Sequence, residues 1–175
     1  VATLSGKPEL FHLKRFDVAI VDEATQILES QVLGLLCSRN EQGQNAIGKF
    51  VLIGDHKQLP AVVLQSTVQT EVYDESLRLL GITNLKDSLF ERLYRTYRCS
   101  NDSSFSNRVM DMLCKQGRMH PEVAYFSNIN FYGRKLESLG LAHQIEEWPK
   151  LASKWLDDWP GVNRRMAFIP SEVET

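Results

Sequence analysis

Two short apolar runs, each ending in polar and acidic residues, dominate the hydrophobic pattern of this chain. Phe16-Asp17-Val18-Ala19-Ile20-Val21 is rich in β-branched residues and free of Gly and Pro, which predicts a buried strand of a parallel sheet. Phe50-Val51-Leu52-Ile53 is the second run, and Gly54 permits a tight exit from it before Pro60 ends the segment. Between them, Ile27, Leu28, Gln31, Val32, Leu35 and Leu36 form a stripe at helical spacing. The order strand, helix, strand predicts two adjacent parallel strands joined by a helical crossover, with Asp22 and Asp55 at the same sheet edge.

The rest of the chain is read the same way. Val1 to Ser5 reads as the end of a strand or the loop leaving one, and Gly6 to Lys14 as a polar connection. Val72 to Leu80 has helical character, Gly81 to Asn84 breaks it, and Asp87 to Arg98 predicts a helix. Arg92, Arg95 and Arg98 give that helix a basic face, which reads as solvated surface in preference to a nucleic-acid contact. Asn101 to Ser104 is turn-like and marks the region of a domain boundary. Val109 to Cys114 reads as a strand. Pro121 suits the first turn of a helix with Val123, Phe126 and Ile129 on its apolar side, closed by Phe131-Tyr132-Gly133. Residues 139–161 follow no clear pattern, and Arg165 to Pro170 reads as a last strand.

Composition narrows the class. Of 175 residues, 43% are hydrophobic and the formal net charge is −2, enough apolar material for a core and no global field that advertises nucleic acid. Cys37, Cys99 and Cys114 are odd in number and lack metal-ligand spacing, so they read as reduced intracellular thiols. No run approaches the roughly eighteen apolar residues of a membrane span. The expectation is a soluble cytoplasmic protein with no membrane partner. The chain begins at Val1 without Met and is read as an excised part of something longer.

The chemistry concentrates at the ends of the two strands. In open α/β sheets ligands gather at the carboxyl edge, where Asp22 and Glu23 would emerge. Adjacent acids there suit a nucleotide hydrolase, one holding Mg2+ and the other orienting or deprotonating the attacking water. The alternative is that Asp22 caps a helix beginning near Ala24. Gly43-Gln44-Asn45-Ala46-Ile47-Gly48-Lys49 matches the phosphate-cradling pattern G-x-x-x-x-G-K. Phe50 stands where a Ser or Thr is needed, and the segment runs into a strand rather than a helix, so it is read as a decoy.

Three blocks stand in order: Asp22-Glu23-Ala24-Thr25-Gln26, Gly54-Asp55-His56-Lys57-Gln58-Leu59-Pro60, and Gln116-Gly117-Arg118-Met119-His120-Pro121. Together they resemble the superfamily 1 helicases, in the branch of the nonsense-mediated-decay helicase and the lagging-strand helicase-nuclease. The blocks match that family's Walker B motif, its motif III and its motif IV, and Phe131-Tyr132 with Leu136 fits the F-Y-x-x-x-L that trails motif IV. The resemblance runs from Thr3 to about Ser171.

It implies an α/β fold of P-loop NTPase (RecA-like) type, a parallel sheet with flanking helices, in incomplete portions of two RecA-like domains. Residues 1–100 would be the C-terminal part of the first and residues 101–175 the N-terminal part of the second. The implied activity is an ATP-dependent helicase or translocase moving on nucleic acid, DNA in preference to RNA, with ATP and Mg2+ as cofactors. The remainder of the same polypeptide would complete both domains, and the chain alone would be inactive. By the same resemblance Asp22 coordinates Mg2+, Asp55 supports that side, Glu23 activates the hydrolytic water and Gln58 senses the γ-phosphate. Arg118 is an arginine finger, while Gln26 and Gln116 complete the nucleotide-binding set. The family's Walker A loop and late arginine motifs are absent from this sequence, and Gly117 stands where the family often has a tyrosine ring. The residues themselves leave two other classes open: a RecA-fold ATPase that remodels protein or acts as a switch, and a non-catalytic interaction module.

Overall fold

A computed structural model describes residue 7, residues 9–98 and residues 109–147. The chain divides into two compact units, Val1–Met110 and Asp111–Thr175. Both are α/β, and each holds one small parallel sheet among the described residues.

The first helix among the described residues, α1, is Glu9–Leu13, where a polar connection is expected. Phe11 is the reason: its ring is buried and meets Phe16 edge-on, with centroids 6.1 Å apart. Burying a phenyl side chain stabilises by roughly 1.5–3 kcal/mol, enough to order a single helical turn whose other residues are polar. Strand β1, Phe16–Val21, follows. After a 3-10 turn at Ala24–Gln26, helix α2 covers Glu29–Leu36 and buries Val32 and Leu35 one turn apart. Strand β2, Ile47–Leu52, pairs parallel with β1 in a register that sets Phe16 beside Ile47 and Val21 beside Leu52.

Ile47, Gly48 and Lys49 therefore lie inside β2, so the G-x-x-x-x-G-K segment is largely strand. Its loop half is tied by Asn40, whose Oδ1 accepts from the backbone N–H of Gln42 and Gln44 at 3.0 and 2.9 Å. The reading of that segment as a decoy matches this geometry.

Phe11, Leu35, Ala46 and Ile47 form the core cluster, with Ala19 and Phe50 packed against it. One face of the sheet is thus covered. Val18, Ile20 and Val51 on the other face are exposed, Ile20 to 68%. The expectation of strands buried on both faces is met on one face only, because among the described residues the crossover and α1 cover a single side.

Beyond β2 the chain forms two short helices, α3 at Thr67–Thr70 and α4 at Glu75–Leu79. Helix α4 is shorter than the Val72 to Leu80 pattern because the Asp74 carboxylate caps it, accepting from Leu77 N–H at 3.0 Å. Gly81, at φ 82°, provides the left-handed break after it. Helix α5, Leu89–Arg98, follows.

In the second unit, residues 111–114 carry no strand, contrary to the pattern of Val109 to Cys114. A two-residue strand, β3 at Lys115–Gln116, forms only where Glu137–Ser138, strand β4, lies alongside it in parallel. Leu113, 85% exposed, shows why the apolar run alone does not suffice: a strand needs a partner for its backbone groups. Helix α6, Pro121–Phe131, starts as expected, with Pro121 in its first turn and the His120 ring accepting from Glu122 N–H at 3.2 Å. Gly133, at φ 57°, ends it. The Asn128 amide then clasps Leu136, donating to its carbonyl at 2.9 Å and accepting its N–H at 3.0 Å, which feeds the chain into β4. A short helix, α7, is Ala142–Ile145. The strands read at Val1 to Ser5 and Arg165 to Pro170, and the boundary at Asn101 to Ser104, lie outside the described residues. Among the described residues no helix is long and apolar enough to cross a membrane.

Candidate functional site

The ends of β1 and β2 are joined into one structure by backbone hydrogen bonds. Ile53 N–H donates to Val21 O and Ala24 N–H donates to Ile53 O, both at 2.8 Å. The acidic loop of the first strand and the polar loop of the second are thereby laced together immediately past the sheet edge. Gly54 leaves room for that contact. A Cβ placed on it would lie 3.0 Å from Thr25 Cγ2 and 3.1 Å from the Thr25 backbone nitrogen, tight enough that Thr25 would have to give way. Thr25 itself is buried, and its hydroxyl has no hydrogen-bond partner among the described residues.

Asp22 and Glu23 are both exposed at this edge. Glu23 takes the left-handed conformation, φ 50° and ψ 40°, which is unusual for a residue with a side chain and is held here by the surrounding turn. Asp22 Oδ1 accepts from the N–H of Glu23 at 2.9 Å. Gln26 Nε2 reaches Glu23 Oε2 at 3.4 Å, so three residues of the first block form one polar cluster. The helix-cap alternative for Asp22 is not what forms. Ala24–Gln26 is a 3-10 turn, Ile27 returns to extended backbone, and α2 starts only at Glu29.

The second block is ordered around Asp55. Its Oδ1 accepts from Lys57 N–H at 2.9 Å, and its Oδ2 accepts from Gln58 Nε2 at 3.0 Å. The Gln58 side chain is therefore held by the carboxylate three residues earlier. His56 stacks on Tyr94 of α5, with ring centroids 4.0 Å apart and planes tilted by 31°. Arg98 also meets Tyr94, donating to its Oη at 2.6 Å with the guanidinium 5.6 Å from the ring centroid. Burial, helped by the Lys57 charge, holds His56 below the usual imidazole range.

Helix α5 is anchored beside the site by ion pairs that the sequence pattern did not reveal. Arg92 grips Glu29 at the start of α2 with two hydrogen bonds, of 2.8 and 2.5 Å, and also donates to Leu80 O at 3.0 Å. Arg95 pairs with Asp87. The basic face read as solvated surface is thus largely engaged with partners. No local signal marks Glu29 for Arg92, because the two are 63 positions apart.

The donor chemistry at the edge fits Mg2+. Asp22 and Glu23 present oxygen ligands side by side, and Mg2+ characteristically takes one or two carboxylates while keeping several waters. Among the described residues no cluster of three or more His, Cys, Asp or Glu side chains could hold a metal, which leaves a cation dependent on water and on phosphate oxygens.

In the second unit, Arg118 sits in the loop leaving β3. Gln116 shapes that loop: its Oε1 accepts from the N–H of Arg118 at 3.0 Å and of Met119 at 2.8 Å, and its Nε2 donates to Met119 O at 2.8 Å. Gln144, 1% exposed, donates to Gln116 O at 3.0 Å and Met119 O at 2.9 Å. His143 Nε2 lies 2.8 Å from Gly117 O. Gly117 is packed under Leu139 and Leu141, whose methyl carbons would stand 3.1 and 3.2 Å from a Cβ there. No periodicity in the sequence marks Gln144 and His143, whose partners lie 25 to 28 positions away.

Two family models, each described as an AAA domain, match residues 1–66 and 85–174. The chain belongs to the AAA-domain family. This AAA-domain chain is 34% identical over 122 residues to the probable helicase MAGATAMA 3 of Arabidopsis thaliana, covering 70% of the chain and 11% of that protein. It is 36% identical over 129 residues to the DNA replication ATP-dependent helicase/nuclease DNA2 of Gallus gallus, covering 73% of the chain and 10% of that protein. The probable helicase senataxin of Mus musculus is 28% identical over 153 residues, covering 86% of the chain and 5% of that protein. The chain thus spans about a tenth or less of the length of these relatives. Their names bear out the resemblance to superfamily 1 helicases drawn from the three motifs.

Proposed function

We propose that this chain is the central part of a superfamily 1 motor that couples ATP hydrolysis to movement along nucleic acid, DNA in preference to RNA. In this reading the unit of Asp22 and Asp55 is the latter part of a first RecA-like domain. The unit of Arg118 is the beginning of a second. The observation that carries the proposal is the lacing of the two motif loops at one edge of a parallel sheet, through Ala24 N–H to Ile53 O and the close approach at Gly54. That arrangement brings the acids and the Asp55–Gln58 pair to a common edge, as a phosphoryl-transfer site needs.

Asp22 would hold Mg2+, with Asp55 supporting that side. Bound Mg-ATP supplies the reactive phosphoryl group and the charge neutralisation around it. Glu23 would orient and deprotonate the attacking water, with Gln26 fixing its carboxylate. Gln58, held by Asp55, would respond to the terminal phosphate. Arg118 would bring a planar cation to charge developing on the phosphoryl oxygens, a role for which Lys is a poor replacement. Gln116, grouped with the nucleotide-binding residues by resemblance, is placed to shape the loop that carries this arginine.

The test uses the full-length protein. ATP turnover should rise on adding single-stranded DNA, and less on adding RNA. Turnover that no nucleic acid changes would favour a remodelling or switch ATPase; no turnover at all would favour an interaction module.

A further inference from the structure

We propose that Gln144 is the positioning residue of the Arg118 loop, with His143 as its auxiliary. The inference rests on the reading of Arg118 as the residue that meets the phosphoryl group. Four residues, Gln116 to Met119, make up the loop, and α7 takes hold of three of their carbonyls. Gln144 Nε2 donates to those of Gln116 and Met119, and His143 Nε2 lies within hydrogen-bond distance of that of Gly117. From within the loop, the Gln116 side chain takes the N–H groups of Arg118 and Met119. The backbone on both sides of Arg118 is therefore tied down, while the Arg118 side chain is exposed and has no partner among the described residues.

This is the arrangement a preorganised cation needs. A long side chain aimed at developing charge contributes most when its backbone does not have to be ordered at the moment of reaction. Gln144 suits the task in both halves of its amide. Its two N–H groups face two carbonyls, and its Oε1 accepts from Leu141 N–H at 3.2 Å, closing its own helical turn. Buried as it is, it has no water to fall back on. A carboxylate in its place would face two carbonyl oxygens with no donor. The strand pair extends the linkage, because α7 follows β4 directly and β4 runs beside β3.

The test is ATPase kinetics of the full-length protein, with Gln144→Leu, Gln144→Glu, Arg118→Ala and the double variants. Gln144→Leu should lower kcat about 10-fold or more, since a misplacement of the order of 1 Å is costly, and leave KM for ATP nearly unchanged. In the Arg118→Ala background the same substitution should lower kcat no further. Wild-type kcat in Gln144→Leu, a loss carried by KM, or additive losses in the double variant would each overturn the inference. Arg118→Ala at wild-type kcat would instead show that the reading of Arg118 is wrong, and the positioning role would fall with it. Should the Gln144 variants not fold, His143→Ala removes an exposed side chain and only the Gly117 contact. A kcat loss that vanishes in the Arg118→Ala background then supports the inference, and an unchanged kcat overturns it.

Discussion

Glu23 shows how much a single position can carry. It occupies the left-handed region at φ 50°, with Asp22 holding its N–H and Gln26 near its carboxylate. Such backbone strain costs on the order of 1–3 kcal/mol and persists only where neighbours enforce it. Glu23→Gln keeps the shape and removes the base, so turnover of the full-length protein should fall by about 10²–10⁴ with ATP binding nearly intact. Steady-state turnover beside nucleotide titration distinguishes the two effects; turnover at the wild-type rate would exclude Glu23 as the base. Gly54 is the complementary case, a position whose lack of a side chain leaves room for a close contact. Gly54→Ala drives a methyl group into the Thr25 backbone and should cost about 1–3 kcal/mol of stability, read from denaturant unfolding. His56 adds a pH dependence. Its imidazole is held below the usual value near 6.5, so the unfolded chain takes up the proton first as pH falls. Its share of stability is present above that pH and is lost on acidification, and His56→Phe should flatten this part of the stability profile.

At the scale of elements, the arginines of α5 separate into two kinds. Arg92 joins α5 to α2 through a bidentate pair with Glu29, and both side chains are mostly buried. Arg95 pairs with Asp87 from a position where its own side chain is 55% exposed. Charge-assisted hydrogen bonds sheltered from water are worth roughly 1.5–3 kcal/mol each, while exposed pairs contribute about 0–1 kcal/mol. Arg92→Ala should therefore shift the unfolding midpoint clearly and Arg95→Ala barely. Equal shifts in chemical denaturation would contradict this assignment. The consequence reaches the site, because α5 also presents Tyr94 to His56 in the second motif loop.

At the scale of the molecule, the chain holds acids and a candidate finger but no phosphate cradle among its described residues. Gly48 and Lys49 belong to β2, and the preceding loop is organised by Asn40. The phosphate-binding loop of a P-loop ATPase offers several charge-assisted bonds, each worth roughly 1.5–3 kcal/mol, so losing two or three weakens binding by about 10³-fold or more. The chain as it stands should thus neither hydrolyse ATP nor bind it tightly. Calorimetric titration with Mg-ATP checks this, and micromolar affinity would make the Gly43 loop a phosphate site after all.

What the sequence by itself determined is the local part of this picture. Phe16 to Val21 has the length and composition of a strand, the stripe from Ile27 to Leu36 can only be a helix, and Pro121 marks a helix start. Each signal lies within a dozen residues, although Ile27 and Leu28 at the head of the stripe are extended and only Glu29–Leu36 is helix. The motif blocks belong to the same category, since their chemistry is written in adjacent side chains. Tertiary structure decided what depends on distant partners. Helix α1 exists because Phe11 finds a core, and β3 forms only where β4 lies beside it. Glu29 meets Arg92 across 63 positions, and Gln144 reaches Gln116 across 28. Pairings of that kind leave no periodicity in a single sequence, because the hydrogen bonds that reward them form only once the chain has closed the intervening loop.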